Sequence, residues 1–189
     1  MSLTFLERFS GPATTFIVAA PKGMDVRPTT DRIKETLFNI LAPDIYGCRF
    51  LDLFSGTGAI GIEALSRGAD SCTFVENSRE SMDCIKKNIE KTGLGKNAEL
   101  IFRDACTAVS SLDSSGKKFD LIFMDPPYDC ELEKQVLFRI AETEILDKDG
   151  MIIVEASEKT DFGYLEDTCF CVTREKKYGS NKHIFIAYR

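Results

Sequence analysis

The chain has 189 residues, 43% hydrophobic and 29% charged, which is typical of one folded α/β domain with a sizeable core. Its net charge of −6 argues against a nucleic-acid-binding surface over the whole molecule, although residues 172–189 hold five basic residues against one acidic residue. The apolar runs are too short to cross a bilayer and no signal-peptide pattern begins the chain, so we expect a cytoplasmic protein with no membrane partner.

The cysteines and the single histidine give no metal or disulfide pattern. Seven cysteines are irregularly spaced without a C-x-x-C pair. Zinc sites and disulfide frameworks need more regular sets of ligands or pairs, so we expect reduced thiols and no metal. His183 begins the last predicted strand without a recognisable serine or cysteine partner, which favours a structural role over a catalytic one.

The first 46 residues are predicted to form an N-terminal extension, a strand and a helix, packed on a catalytic domain of residues 47–189. Residues 14–23 are predicted to be extended up to Pro21. Residues 27–41 are predicted to form a helix, because a threonine or aspartate at positions 29–31 can cap it. Its apolar residues also share one face: Ile33, Leu37, Ile40 and Leu41.

From position 49 onward, predicted strands and helices alternate. The strands are 49–54, 71–76, 98–102, 119–124 and 150–156, and the main helices are 58–68, 77–93 and 131–146, with a short helix after Asp104. Asn77 and Glu80 are spaced as a capping box. Two further β-type runs, 168–174 and 183–189, flank a charged loop. The pattern predicts a mostly parallel, seven-stranded α/β sheet flanked by helices, with an antiparallel C-terminal hairpin.

A glycine-rich loop follows the first strand, with the spacing Gly56-x-Gly58-x-x-Gly61. Such a loop brings backbone N–H groups close to an adenosine-containing ligand, and Glu76 can accept both ribose hydroxyls. Two features favour S-adenosylmethionine over a dinucleotide. Asp52 precedes the loop and suits an ammonium and a sulfonium better than a pyrophosphate, while Asp104 can accept from an adenine amino group.

The motif Asp125-Pro126-Pro127-Tyr128 directly follows the fourth strand. Prolines cannot extend the sheet ladder, so the carbonyl of Pro126 is available as an acceptor, and Asp125 adds a second one. Tyr128 offers a flat ring for stacking. Two fixed acceptors and a stacking ring suit the methylation of an amino group on a nucleobase, since its lone pair must be turned toward the methyl donor. A simple proline-rich turn is the alternative.

The stretch LDLFSGTGAIGIEAL and the motif DPPY, together with Glu76 and Asp104, resemble the Rossmann-like S-adenosylmethionine-dependent methyltransferases of exocyclic amino groups. The segments RPTTDRIKETLFNIL and KKYGSNKHIFIAYR resemble the bacterial small-subunit ribosomal RNA (guanine-N2)-methyltransferases. This likeness spans roughly residues 20–189. The basic, glycine-rich stretch usual before this region in that family is replaced by RFSGPATTFIVAA.

The resemblance implies S-adenosylmethionine as cofactor, ribosomal RNA or the small ribosomal particle as partner, and a monomer. It implies that a flipped-out base is held for catalysis by Asp125, Pro126, Pro127 and Tyr128. The implied cofactor-binding residues are Asp52, Phe54, Ser55, Gly56, Thr57, Gly58, Glu76, Asn77, Asp104 and Ala105. We predict phosphate contacts from Arg27, Arg32, Lys34, Lys176 and Lys177.

Three alternatives stay open at the level of sequence. The same cofactor can serve methylation of adenine in DNA or RNA, or of a protein glutamine. The glycine spacing alone also allows an NAD-dependent oxidoreductase. A non-catalytic RNA-binding or assembly factor that keeps the fold is the third.

Overall fold

The computed structural model of the protein describes residues 28–128 and 130–189. The predicted strand before Pro21 and the predicted phosphate contact Arg27 lie outside these residues. The described helices are α1 (Pro28–Leu41), α2 (Ala59–Ser66), α3 (Arg79–Thr92), α4 (Ala105–Ser114) and α5 (Leu132–Ala141). The strands are β1 (Arg49–Leu53), β2 (Ser71–Glu76), β3 (Ala98–Phe102), β4 (Phe119–Met124), β5 (Leu146–Ser157), β6 (Phe170–Tyr178) and β7 (Asn181–Tyr188).

The seven strands form one sheet in the order β3-β2-β1-β4-β5-β7-β6. Strands β1 to β5 are mutually parallel, and β7 lies antiparallel between β5 and β6. The predicted mixed sheet with an antiparallel hairpin at its end is therefore confirmed. This topology places the carboxyl ends of β1, β2, β4 and β5 along one edge, where the start of β7 also lies.

Some predicted boundaries were wrong. The helix predicted over 131–146 ends at Ala141, because Leu146 begins β5 and Phe119 N on β4 donates to the carbonyl of the preceding Ile145 at 2.8 Å. The charged loop predicted over 175–182 is mostly strand, with its turn at Gly179, since an edge strand tolerates charged side chains that face solvent.

The predicted capping box at the start of α3 is also wrong. Ser78 is the N-cap, and its side chain accepts from Ser81 N. Asn77 stands one residue earlier and is exposed, at the end of β2. Ser78, one position downstream of Asn77, is the short polar residue that caps the helix instead.

Apolar side chains cover both faces of the sheet. On one face, α4 and α5 pack over β4 and β5; on the other, α1, α2 and α3 pack over β1 and β2. Helix α1 contributes three fully buried residues to the second layer, Leu37, Phe38 and Leu41. The helix thus packs on the sheet, while the domain boundary between residues 46 and 47 stays a prediction.

Arg49 fixes three strands to one another at the amino-terminal edge of the sheet. Its backbone N–H and its guanidinium both donate to Asp120 on β4, at 2.7 and 2.6 Å, and Nη2 also donates to Asp147 on β5 at 2.9 Å. These hydrogen bonds hold the pKa of the Asp120 carboxyl below its usual range. A bidentate arginine contact of this kind is geometrically specific as well as attractive. It therefore stabilises the register of β1, β4 and β5, and with it the alignment of their carboxyl ends at the opposite edge of the sheet.

Gly61 lets helix α2 approach strand β2 closely. A Cβ atom at this position would lie 2.3 Å from Phe74 Cε1 and 2.6 Å from Cys72 Sγ, both on β2. These two side chains are fully buried and have little room to move. The third glycine of the loop motif is therefore a packing requirement, and it sets the distance between the loop and the second strand.

We expect Gly61→Ala to lower the free energy of unfolding by roughly 1–3 kcal/mol, because the added methyl overpacks the α2–β2 contact. Urea unfolding followed by circular dichroism measures this. Gly95→Ala is the matched control, since a Cβ there would make an ordinary 3.4 Å contact with Ile89, and we expect a change within about 0.5 kcal/mol. Equal stability of both variants would contradict the packing role of Gly61.

Candidate active site

The glycine loop after β1 is held in one conformation by hydrogen bonds. Ser55 Oγ donates to the carbonyls of Asp52 and Val75, at 2.7 and 3.2 Å. Asn88 on α3 donates from Nδ2 to Thr57 O at 3.0 Å. Phe54 has a φ of +64°, which is uncommon for a bulky residue and is tolerated only where the surroundings impose it. The predicted contacts Phe54, Ser55, Gly56, Thr57 and Gly58 thus lie on a preorganised loop.

Glu76, at the end of β2, connects two parts of the proposed cofactor site. Its Oε2 accepts from Gly56 N at 2.8 Å, and its Oε1 accepts from Ser78 N at 2.7 Å. Each carboxylate oxygen has a further lone pair, so Glu76 can still accept ribose hydroxyls while it anchors the loop. The sequence predicted the ligand contact but missed this structural one.

Asp52 is buried at the end of β1, with 1% of its surface exposed. Gly61 N donates to its Oδ2 at 3.1 Å. Burial raises the pKa of Asp52 to about 8, against the lowering effect of that hydrogen bond, and the negative charges of Asp125 and Glu76 add to the rise. The surroundings of the Asp52 carboxyl therefore disfavour its ionised form. A cationic ligand group placed beside it would stabilise that ionised form.

The Asp125–Tyr128 corner follows β4 at the same edge. Asp125, Pro127 and Tyr128 are exposed, while Pro126 is buried. Solvent reaches Asp125, yet the protein atoms around its carboxyl and the negative charge of Glu155 raise its pKa above the ordinary aspartate range. The corner is thus open to a substrate and carries an acceptor that is easily protonated.

The predicted adenine contact lies at the start of α4. Asp104 is the N-cap, and its Oδ1 accepts from Thr107 N at 2.9 Å, which lowers its pKa. Ala105 begins the helix and is buried. Phe102, at the end of β3 and in register with Glu76, is 55% exposed. Sequence reasoning missed this ring, although an apolar residue directly before Arg103-Asp104 at a strand end was a signal.

Three polar residues lie together beside Tyr128, and the sequence did not predict that they form one cluster. Glu155, Asn181 and His183 come together at the ends of β5 and β7, within hydrogen-bonding distance of one another or of Tyr128. Glu155 ends a buried apolar run, which could have marked it as a strand-end residue. The other two depend on the register of the hairpin.

The predicted phosphate contacts are in different environments. Arg32 is exposed on α1, whereas Lys34 is partly buried and its ammonium lies 3.9 Å from Glu63. On β6, Lys177 pairs with Glu158 at 3.1 Å, and Lys176 Nζ lies 5.9 Å from the centre of the Tyr178 ring. These roles stay predictions, and the ion pairs make Lys34 and Lys177 the more constrained of the four.

Within residues 28–128 and 130–189, no group of three or more metal-ligating side chains is placed to hold an ion. Among the helices described, none has the length and apolar character needed to cross a membrane.

Residues 9–187 match the family model described as "Conserved hypothetical protein 95". The chain belongs to this family. It is 38% identical to "Putative rRNA methyltransferase YlbH" of Bacillus subtilis, over 85% of this chain and 86% of that protein. It is 37% identical to "Ribosomal RNA small subunit methyltransferase D" of Escherichia coli K12, over 72% of this chain and 67% of that protein.

The solved structure titled "Putative methyltransferase yhhF from Escherichia coli" is 31% identical and has a TM-score of 0.75, covering 86% of this chain and 88% of that one. More distant neighbours at 18% identity share the fold, among them "SMU.776, a putative methyltransferase complexed with SAH". The predicted methyltransferase family and its Rossmann-like fold are therefore confirmed.

We expect Asp52→Asn to stabilise the protein without cofactor and to weaken cofactor binding. An aspartate whose folded pKa is raised lowers stability as pH rises from about 4 toward 8, because the folded state must either keep the proton or bury the charge. The variant should gain roughly 2–4 kcal/mol of unfolding free energy at pH 7, and the gain should shrink at pH 5. Urea unfolding across this pH range measures it.

In the same variant, the dissociation constant for S-adenosylmethionine should rise at least about tenfold, because a buried charge-assisted contact is lost. Asp149→Asn, at an exposed carboxylate, is the matched control and should change neither quantity. Unchanged affinity in Asp52→Asn would show that the cofactor ammonium binds elsewhere.

Proposed function

We propose that the protein transfers a methyl group from S-adenosylmethionine to the exocyclic N2 amino group of a guanine in small-subunit ribosomal RNA. One observation carries the proposal: the acceptor corner and the glycine loop leave adjacent, hydrogen-bonded strands. Met124, directly before Asp125, is in register with Leu53, directly before the loop. The negative charge of Asp125 contributes to the raised pKa of the Asp52 carboxyl, after the larger effect of burial.

The side chains present fit this cofactor chemically. The buried Asp52 carboxyl suits an ammonium, Glu76 suits ribose hydroxyls, and Asp104 suits an adenine amino group. Gly56 has open space where a Cβ would point, so its backbone can be approached closely. When bound, the cofactor supplies an electrophilic methyl group on a sulfonium. The assignment of the individual loop residues, and of Asn77 and Ala105, forms part of the proposal.

The acceptor corner is proposed to hold and orient the target amino group. The Asp125 carboxylate and the Pro126 carbonyl accept its two hydrogens, which turns the nitrogen lone pair toward the methyl group. Tyr128 stacks on the base, which must leave its helix to reach the site. Pro127 keeps the corner stiff. When the nitrogen gains the methyl group it loses a proton, and Asp125, with its raised pKa, is a suitable acceptor.

The choice of ribosomal RNA rests on the relatives. One relative is named as a methyltransferase of the small ribosomal subunit and another as an rRNA methyltransferase. Guanine N2 rests on the resemblance of the sequence to the guanine-N2 family. Adenine and protein glutamine remain outcomes that the experiment distinguishes. Membership of the family removes the support for an NAD-dependent oxidoreductase, which depended on glycine spacing alone.

The proposal is tested by incubating the protein and labelled S-adenosylmethionine with small ribosomal particles from cells that lack this modification. We expect label on the N2 of one guanine, located by nuclease digestion and mass spectrometry. Label on adenine, on protein or nowhere would contradict the proposal.

We expect Asp125→Ala to lower the rate of methyl transfer at least about 100-fold, because an acceptor that orients the nucleophile is lost. Cofactor affinity should stay within about threefold of wild type, since Asp125 contacts the target and not the adenosine. Asp149→Ala is the control. Near wild-type transfer by Asp125→Ala would remove Asp125 from the role given to it.

A further inference from the structure

The antiparallel pairing of β5 and β7 brings the beginning of β7 to the active edge of the sheet. Glu155 is in register with His183, and Ser157 with Asn181. Glu155 lies at the carboxyl end of β5, which pairs with β4, the strand that leads into the Asp125–Tyr128 corner. Asn181 and His183, at the start of the last strand, therefore border the corner.

The strongest of the resulting contacts is made by the Tyr128 hydroxyl. Asn181 Nδ2 donates to this oxygen at 2.7 Å. The hydroxyl in turn points its proton toward Glu155 Oε1 at 3.5 Å, and Asn181 lies 3.4 Å from the same carboxylate oxygen. The short bond is a well-formed hydrogen bond, whereas the two longer contacts are weak and mainly electrostatic. Asn181 is thus the principal hold on the phenol.

His183 fixes Glu155 from the other side. It is buried, with 1% of its surface exposed, and its Nε2 lies 3.1 Å from Glu155 Oε2. The rings of Phe123 and Tyr178 pack edge-on against the imidazole. Its Nδ1 has no hydrogen-bond partner among the described residues, so Nε2 is assigned the proton that Glu155 accepts. One carboxylate oxygen is therefore anchored while the other faces the phenol.

The Tyr128 ring requires a contact such as the Asn181 hydrogen bond to fix its orientation. It is 44% exposed and follows two prolines in an irregular segment, where a ring can adopt several rotamers. Stacking on a base requires only the ring, and phenylalanine would supply it equally well. A hydrogen bond to the hydroxyl, at the far end of the ring, also fixes the orientation of the ring before any substrate binds.

We propose that Asn181 is a positioning residue for methyl transfer. It holds the phenol of Tyr128, with Glu155 and His183 as its support, and so fixes the ring against which the target base stacks. This inference rests on the proposed function of the corner and extends it to the C-terminal hairpin. The inference gives the C-terminal hairpin a role in methyl transfer. This role does not depend on the phosphate contacts predicted for Lys176 and Lys177.

A double-mutant cycle tests the proposal. We expect Asn181→Ala to lower kcat about tenfold, with KM for the ribosomal particle and cofactor affinity within twofold of wild type. In a Tyr128→Phe background, where the phenol is already absent, Asn181→Ala should change kcat less than twofold. Equal losses in both backgrounds, or no loss in the wild-type background, would overturn the proposal. Asn97→Ala is the control, since that side chain donates to the backbone carbonyl of Asp70 and not to Tyr128, and we expect it to leave kcat within twofold of wild type.

A second measurement needs no RNA. The chain has five tyrosines and one histidine, so ¹³C-labelled tyrosine and ¹⁵N-labelled histidine give few signals. The Tyr128 resonance, assigned from Tyr128→Phe, should shift in Asn181→Ala, and the imidazole should show a proton on Nε2. An unshifted Tyr128 resonance would overturn the hold itself. Absence of methyl transfer by the wild-type protein, with the shift present, would overturn the proposed function and leave the hydrogen bond established.

Discussion

The hydrogen bond from Gly61 N to the buried Asp52 carboxyl is the contact on which the active site depends. It ties the first turn of α2 to the end of β1 and keeps a carboxyl where water is scarce. Glu76 and Asp125 stand near enough to oppose its charge. The protein thus assembles acidic groups at one edge of the sheet at a cost to its own stability, and the cationic cofactor proposed for this site would offset that cost on binding.

The two parts of the sheet have different tasks. The parallel strands β1 and β2 hold the loop and the carboxylates proposed to bind the cofactor, and Glu76 accepts two backbone hydrogen bonds there, from Gly56 and Ser78. Strand β4 ends in the corner proposed to hold the target amino group. The antiparallel hairpin then supplies Asn181 and His183, which a parallel crossover from β5 would not bring to the same place. Under the proposed function, the reversed last strand therefore serves the active site as well as completing the sheet.

Much of this arrangement could be predicted from the sequence, because local signals determine it. The glycine loop, Glu76 and the two-proline corner each lie next to the strand that positions them. Errors arose where distant contacts decide the outcome: Leu146 leaves a predicted helix to begin β5, where it pairs with Phe119 on β4. The contacts of Asn181 with Tyr128 depend on hairpin register, which composition does not specify.

We propose that the Asp52 carboxyl, whose pKa burial raises to about 8, loses its proton when the cofactor binds, and counting protons tests this claim. Titration calorimetry of S-adenosylmethionine binding at pH 7, in buffers of different ionisation enthalpy, gives the number released by the wild-type protein and by Asp52→Asn. With a pKa of about 8, wild type should release nearly one proton more than the variant, and the difference should vanish above about pH 9. Equal proton release by the two proteins at pH 7 would contradict the claim.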